Sequence, residues 1–87
     1  MDGLTWQPWE APADVVAMLD DEVRRPLQVE SWTDGNTVRL YLFGGAFNVA
    51  EQVVSLMVLD QLGARSTEFL RDVVRHMVRV IAHEVTP

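Results

Sequence analysis

The sequence predicts an α+β fold with elements in the order α-β-β-α-α, and three observations carry that expectation. Asp34-Gly35 lies between two strand-like runs, "LQVESW" and "TVRLYLF", and reads as a two-residue hairpin turn. Upstream, Val15, Val16, Leu19 and Val23 recur at helical spacing until Pro26 stops the pattern. Downstream, two helix-like stretches are separated by Gly63, the pattern of an antiparallel helical hairpin.

In chain order, "WQPWEAP" sets Trp6 and Trp9 around Pro8, with Pro12 following. Proline disfavours the helical region for the residue before it, so residues 1–11 read as an extended Trp/Pro-rich leading segment. Residues 4–7 would add a third strand to the hairpin. From Pro12 the first helix begins, with Asp14 suited to its positive end, and it runs to about Arg24. Its opposite face carries Asp20, Asp21 and Glu22.

Centring the hairpin on Asp34-Gly35 pairs Leu27 with Leu42, Val29 with Leu40 and Ser31 with Val38 on one face. The other face then sets Gln28 against Tyr41, Glu30 against Arg39 and Trp32 against Thr37. One register yields an apolar face and a cross-strand ion pair.

Gly44-Gly45 breaks the second strand, and Asn48 with Glu51 three residues later matches a capping box. The second helix is expected from there to Leu62, with Gly63 as the residue just past its end. Val53 to Leu59 is apolar apart from Ser55, which on a helix means burial on most sides. The third helix starts at Ser66 or Thr67, with Glu68 in its first turn. Phe69, Leu70, Val73, Val74, Met77, Val78, Ile81 and Val85 give it a wide apolar face.

Eighty-seven residues, 48% hydrophobic and 23% charged, are expected to form one small α+β domain over 1–87. Cysteine is absent, which removes disulfides, thiolate chemistry and Cys-based zinc sites. The start lacks a basic region followed by an apolar one, so no signal peptide is expected, and no stretch is long and apolar enough for a membrane span. A cytoplasmic location follows as the expectation, since small secreted domains are usually disulfide-stapled. All seven cations are arginine, a bias expected of a GC-rich genome and consistent with a bacterial or phage accessory protein. The net charge of −6 is uneven. Residues 1–34 hold eight acids against two arginines (2 − 8 = −6), and residues 35–87 hold five against five.

Four groups of residues merit a chemical reading. Arg71, Arg75, Arg79 and His83 form a four-residue ladder that could track phosphates, but Glu68 and Asp72 lie within helical reach. The expected recipients of the arginines are the spare acids Asp20, Asp21 and Glu22, within a protomer or across a dimer. His76 and His83 stand two turns apart, roughly 10 Å along a helix, too far to chelate as a pair three or four residues apart would. Asp72 could orient His76, yet no nucleophile accompanies them. Gly44-Gly45 lacks the third glycine and the Lys-Ser/Thr of a phosphate-binding loop. The fourth group is aromatic: Trp6, Trp9, Trp32, Tyr41 and Phe43. The last three share the hairpin face opposite the Leu/Val face and, with Arg39 among them, have the composition of a binding hot spot. The alternative is that the first helix or the Trp6–Trp9 segment covers that face.

The reading is a non-catalytic protein–protein interaction or accessory module without cofactor, metal or catalytic residues. Its expected interaction face is Trp32, Arg39, Tyr41 and Phe43. A homodimer is expected through Val53, Val54, Leu56, Met57 and Val58, because an isolated hairpin and an all-round apolar helix both need covering. A further protein partner fits the aromatic face. The alternative is a small nucleic-acid-associated regulator using Arg71, Arg75 and Arg79, disfavoured because no basic patch surrounds the stripe.

Overall fold

The computed structural model describes residues 5–24, 26–45 and 47–85. The fold is mixed α+β, with a four-stranded antiparallel sheet where a hairpin was expected. In chain order the elements are β1 (Gln7–Pro8), α1 (Ala13–Glu22), β2 (Leu27–Thr33), β3 (Thr37–Gly44), β4 (Phe47–Ser55), α2 (Leu56–Leu62), a 3-10 turn (Gly63–Arg65) and α3 (Ser66–Val85). The strands lie in the order β1-β2-β3-β4.

The largest correction concerns residues 47–55, expected within a helix and found as β4. Gly45, at φ 66°, lets the chain fold back on β3, a conformation open to glycine. The β-branched Val49, Val53 and Val54 then favour the pleated surface. Ala50, Gln52 and Val54 lie opposite Leu42, Leu40 and Val38, whereas Glu51 and Val53 lie opposite Tyr41 and Arg39. Asn48 pairs with Phe43 as a strand residue, so the Asn48/Glu51 capping box does not form. Val49 is the extra residue of a bulge between Leu42 and Phe43. Val53–Leu59, read as one all-round apolar helix, is therefore split between a strand and a seven-residue helix.

The hairpin register also differs. β2 and β3 pair Val29 with Leu42, Ser31 with Leu40 and Trp32 with Arg39, two residues away from the expected alignment. The turn residues are Gly35-Asn36, flanked by Asp34 and Thr37. Gly35 has φ 97° and Asn36 is not at positive φ, since among the described residues only glycines are, the signature of a type II′ turn. The Asp34 carboxylate fixes it, accepting from the backbone N–H groups of Asn36 (2.9 Å) and Thr37 (2.8 Å) and from the Thr37 hydroxyl (3.1 Å). A slip of two leaves every side chain on its face, so the apolar face survives while the cross-strand partners change. Glu30 consequently faces Tyr41 instead of Arg39.

A third strand does flank the hairpin, at Gln7–Pro8 instead of 4–7; residue 4 lies outside the described residues. The Trp9 N–H continues that pairing by donating to the Ser31 carbonyl at 3.0 Å.

Helices α1 and α3 lie together on one face of the sheet. Val15, Met18 and Leu19 of α1 and Leu70, Val74 and Met77 of α3 form one core with Val38, Leu40 and Leu42 of β3 and with Val54 and Leu59. Leu40 and Leu42 are completely buried. The helices are parallel. The Thr67 hydroxyl donates to the Asp14 carboxylate, and the Arg75 guanidinium donates to Glu22, a constant separation of 53 residues at both places. The molecule is 18 Å across its shortest axis, the thickness of one helix layer on one sheet. The expected antiparallel helical hairpin is absent in that form: α2 is seven residues long and passes through the 3-10 turn into α3. Gly63 does close α2, as expected.

Candidate functional site

With both long helices on one side, the other side of the sheet has no helical cover among the described residues. Strand alternation sends Glu30 and Trp32 from β2, Arg39, Tyr41 and Phe43 from β3, and Glu51 and Val53 from β4 to that open face. The expected interaction residues Trp32, Arg39, Tyr41 and Phe43 thus share one surface, each half-buried.

Arg39 is its centre. Its guanidinium lies 4.5 Å from the Trp6 ring centroid and donates through Nη1 to the Tyr41 hydroxyl at 3.2 Å. On its other side Nε stands 3.7 Å from the Glu51 carboxylate, an ion pair too long to be a hydrogen bond, and among the described residues Arg39 Nε has no hydrogen-bond partner. The hydrogen bond to Tyr41 raises the arginine's pKa above its ordinary value, with burial opposing and the Glu51 charge assisting. Tyr41 and Phe43 stack with centroids 6.1 Å apart at 43°, and the Trp32 indole N–H donates to Glu30 at 3.2 Å. These contacts hold the aromatic and cationic groups in defined positions while leaving them accessible. Sequence pairing placed Arg39 opposite Glu30, read Glu51 as a helix cap and took Trp6 as part of a segment able to cover this face; the sheet brings both Trp6 and Glu51 to Arg39.

Trp6 and Trp9 separate to opposite faces because they flank the short strand β1. Trp6 lies under Arg39, and Trp9 packs against the core, where it lines a pocket of about 300 Å³ with Pro12, Val15, Leu56 and Leu59.

The expected self-association residues are dispersed. Val54 is buried and Leu56 half-buried, whereas Val53 is 44%, Met57 69% and Val58 39% exposed. Val53 faces outward from β4, and Met57 and Val58 lie on α2.

The arginine ladder meets an acid on α1. Arg75 forks the Glu22 carboxylate, with Nη2 at 2.7 Å and Nε at 2.9 and 3.1 Å, and Arg71 Nε lies 3.7 Å from the same group. Arg75's hydrogen bonds hold Glu22's pKa below the ordinary carboxylate value, partly opposed by burial and reinforced by the charges of Arg75, Arg71 and Arg24. Glu22 in turn raises Arg75. Arg79 is exposed, and the side chain of His83 lies outside the described ones. His76 is exposed on α3, one turn from Asp72. Among the described residues no three His, Cys, Asp or Glu side chains gather as a metal site would require, and no helix is long and apolar enough to cross a membrane. No known family model, curated protein or solved structure matches the chain.

Proposed function

We propose that the protein is a non-catalytic, self-associating protein–protein interaction module whose contact surface is the open sheet face around Arg39. The observation that carries this reading is the pre-positioned Trp6–Arg39–Tyr41 arrangement on a face that no described helix covers. Aromatic and arginine side chains already held in place lose little freedom on binding, which is why they dominate binding energy at interfaces. Glu30 and Glu51 at the rim suit a partner with complementary positive groups around an apolar centre. A nucleic-acid role for the ladder is disfavoured, because Arg71 and Arg75 already share the Glu22 carboxylate.

Affinity purification from the cell of origin tests the reading. The wild type is expected to retain a protein partner in stoichiometric amount, and Arg39→Ala with Tyr41→Ala to lose it at an unchanged far-ultraviolet circular dichroism spectrum. Retention by the double variant, or co-purifying nucleic acid in place of protein, would contradict it.

A further inference from the structure

The two edges of the sheet are unequal. On the β1 side, β1 is two residues long, ends in Pro8, which cannot donate to another strand, and pairs only with Trp32 and Thr33. Along the rest of β2 the Ser31 carbonyl accepts from the Trp9 N–H, and the Leu27 N–H donates to the Arg24 carbonyl. On the other side β4 presents nine residues without proline or lysine, and no described strand pairs with its outer edge. Its hydrogen-bonding direction follows from the hairpin. Asp34 and Thr37 are bonded across the turn, so alternation directs the peptide groups of Val38, Leu40 and Leu42 towards β4. Opposite them, Ala50, Gln52 and Val54 point inward, which leaves the N–H and C=O groups of Glu51 and Val53 on the open edge. The one charge that could discourage pairing there, Glu51, is met by Arg39 from within its own sheet.

Beside this edge, on the helix side, an open groove of about 500 Å³ is lined by Gln52, Phe69, Asp72, Val73 and His76. It holds an acid and an imidazole one turn apart on α3, with Val73 between them.

We infer that the β4 edge and its flanking groove take a second copy of the same chain, joined antiparallel to form a continuous eight-stranded sheet. This rests on the self-association included in the proposed function and assigns it a surface. A two-fold axis through the β4 pair brings α3 alongside its own copy in antiparallel sense. Asp72 then reaches towards His76 of the second copy and His76 towards its Asp72, while Val73 covers Val73. Such exchange of i with j is what an isologous interface demands. The register that would stack Glu51 on Glu51 is disfavoured by like charge, so the axis passes at Gln52 or Val53. Strand addition supplies partners for the outward peptide groups, and the helix contact removes exposed apolar surface from water.

Light scattering at tens of micromolar, with single cysteines in this cysteine-free chain, tests the inference. The wild type is expected at twice the chain mass. Gln52→Cys or Val53→Cys should form an intermolecular disulfide on mild oxidation, and Val16→Cys, exposed on α1, should not. Val53→Pro removes only an outward N–H and is expected to be monomeric with its circular dichroism spectrum retained. A dimer that crosslinks at Val16 but at neither Gln52 nor Val53, or that survives Val53→Pro, overturns the β4 interface and leaves self-association standing. A wild-type monomer overturns both.

Discussion

At Gly35 the backbone φ of 97° would strain any side chain, although nothing stands within 4 Å of where its Cβ would be. Gly35→Val is therefore expected to cost about 1–3 kcal/mol through backbone strain alone, a loss that denaturant melts would read directly. Asp34 supplies the other half of the turn. Hydrogen bonds from the Asn36 and Thr37 backbone lower its pKa, with the Thr37 hydroxyl assisting and burial opposing. A carboxylate lowered in the folded state stabilises above its unfolded value, about 3.9, and that contribution is lost as pH falls through the folded value. Glu22, also lowered, acts in the same direction. Stability should thus decline below about pH 5, and Asp34→Ala should be less stable at neutral pH with a shallower acid limb. An identical acid slope in the variant would remove Asp34 from the turn's energetics. The Asp-Gly dipeptide was readable in the sequence, but whether Asp34 is a turn residue or the turn's flanking acceptor was not. Alternation has a period of two, and a two-residue slip conserves both faces.

Among the elements, α1, β2 and β3 were legible because each carries one clear periodicity. β4 was not, since Asn48 and Glu51 happen to match a capping box and Val53–Leu59, apolar apart from Ser55, shows neither period. What decides the matter is long-range: β3 offers a strand edge immediately after a glycine turn, and paired valines on a sheet outweigh a local cap. The strand-then-helix division makes opposite forecasts for neighbouring valine and methionine positions. Val54→Asp should abolish cooperative unfolding, because the charge enters a buried contact. Met57→Asp should stay within about 0.5 kcal/mol of wild type, as exposed substitutions generally do. Equal damage from both would restore the single helix. Leu40→Ala, at the centre of the core, should cost about 2–5 kcal/mol.

For the whole molecule, the consequence of one helical layer is an open sheet face, and the leading segment serves both sides of it. Trp9 packs on the core and Trp6 under Arg39, so removing residues 1–10 should lower the melting temperature and expose Arg39. An unchanged melt would show the segment to be a passenger. Composition made the aromatic face readable, but its openness depends on α1 and α3 sharing the opposite side, a tertiary arrangement that no single element encodes. The same arrangement places Glu22 between Arg71 and Arg75, and the protein should show no measurable binding to duplex DNA or RNA at physiological salt. Micromolar, salt-sensitive binding lost on combining Arg71→Ala with Arg75→Ala would reverse that assignment. The claim that the open sheet face is the contact surface is tested most directly by photo-crosslinking in the cell of origin, with a photoreactive residue at Tyr41 or, on the exposed side of α1, at Asp20. The account predicts a discrete protein adduct from position 41 that weakens with Trp32→Ala and is missing from position 20. No adduct from position 41, or the same adducts from both positions, would contradict it.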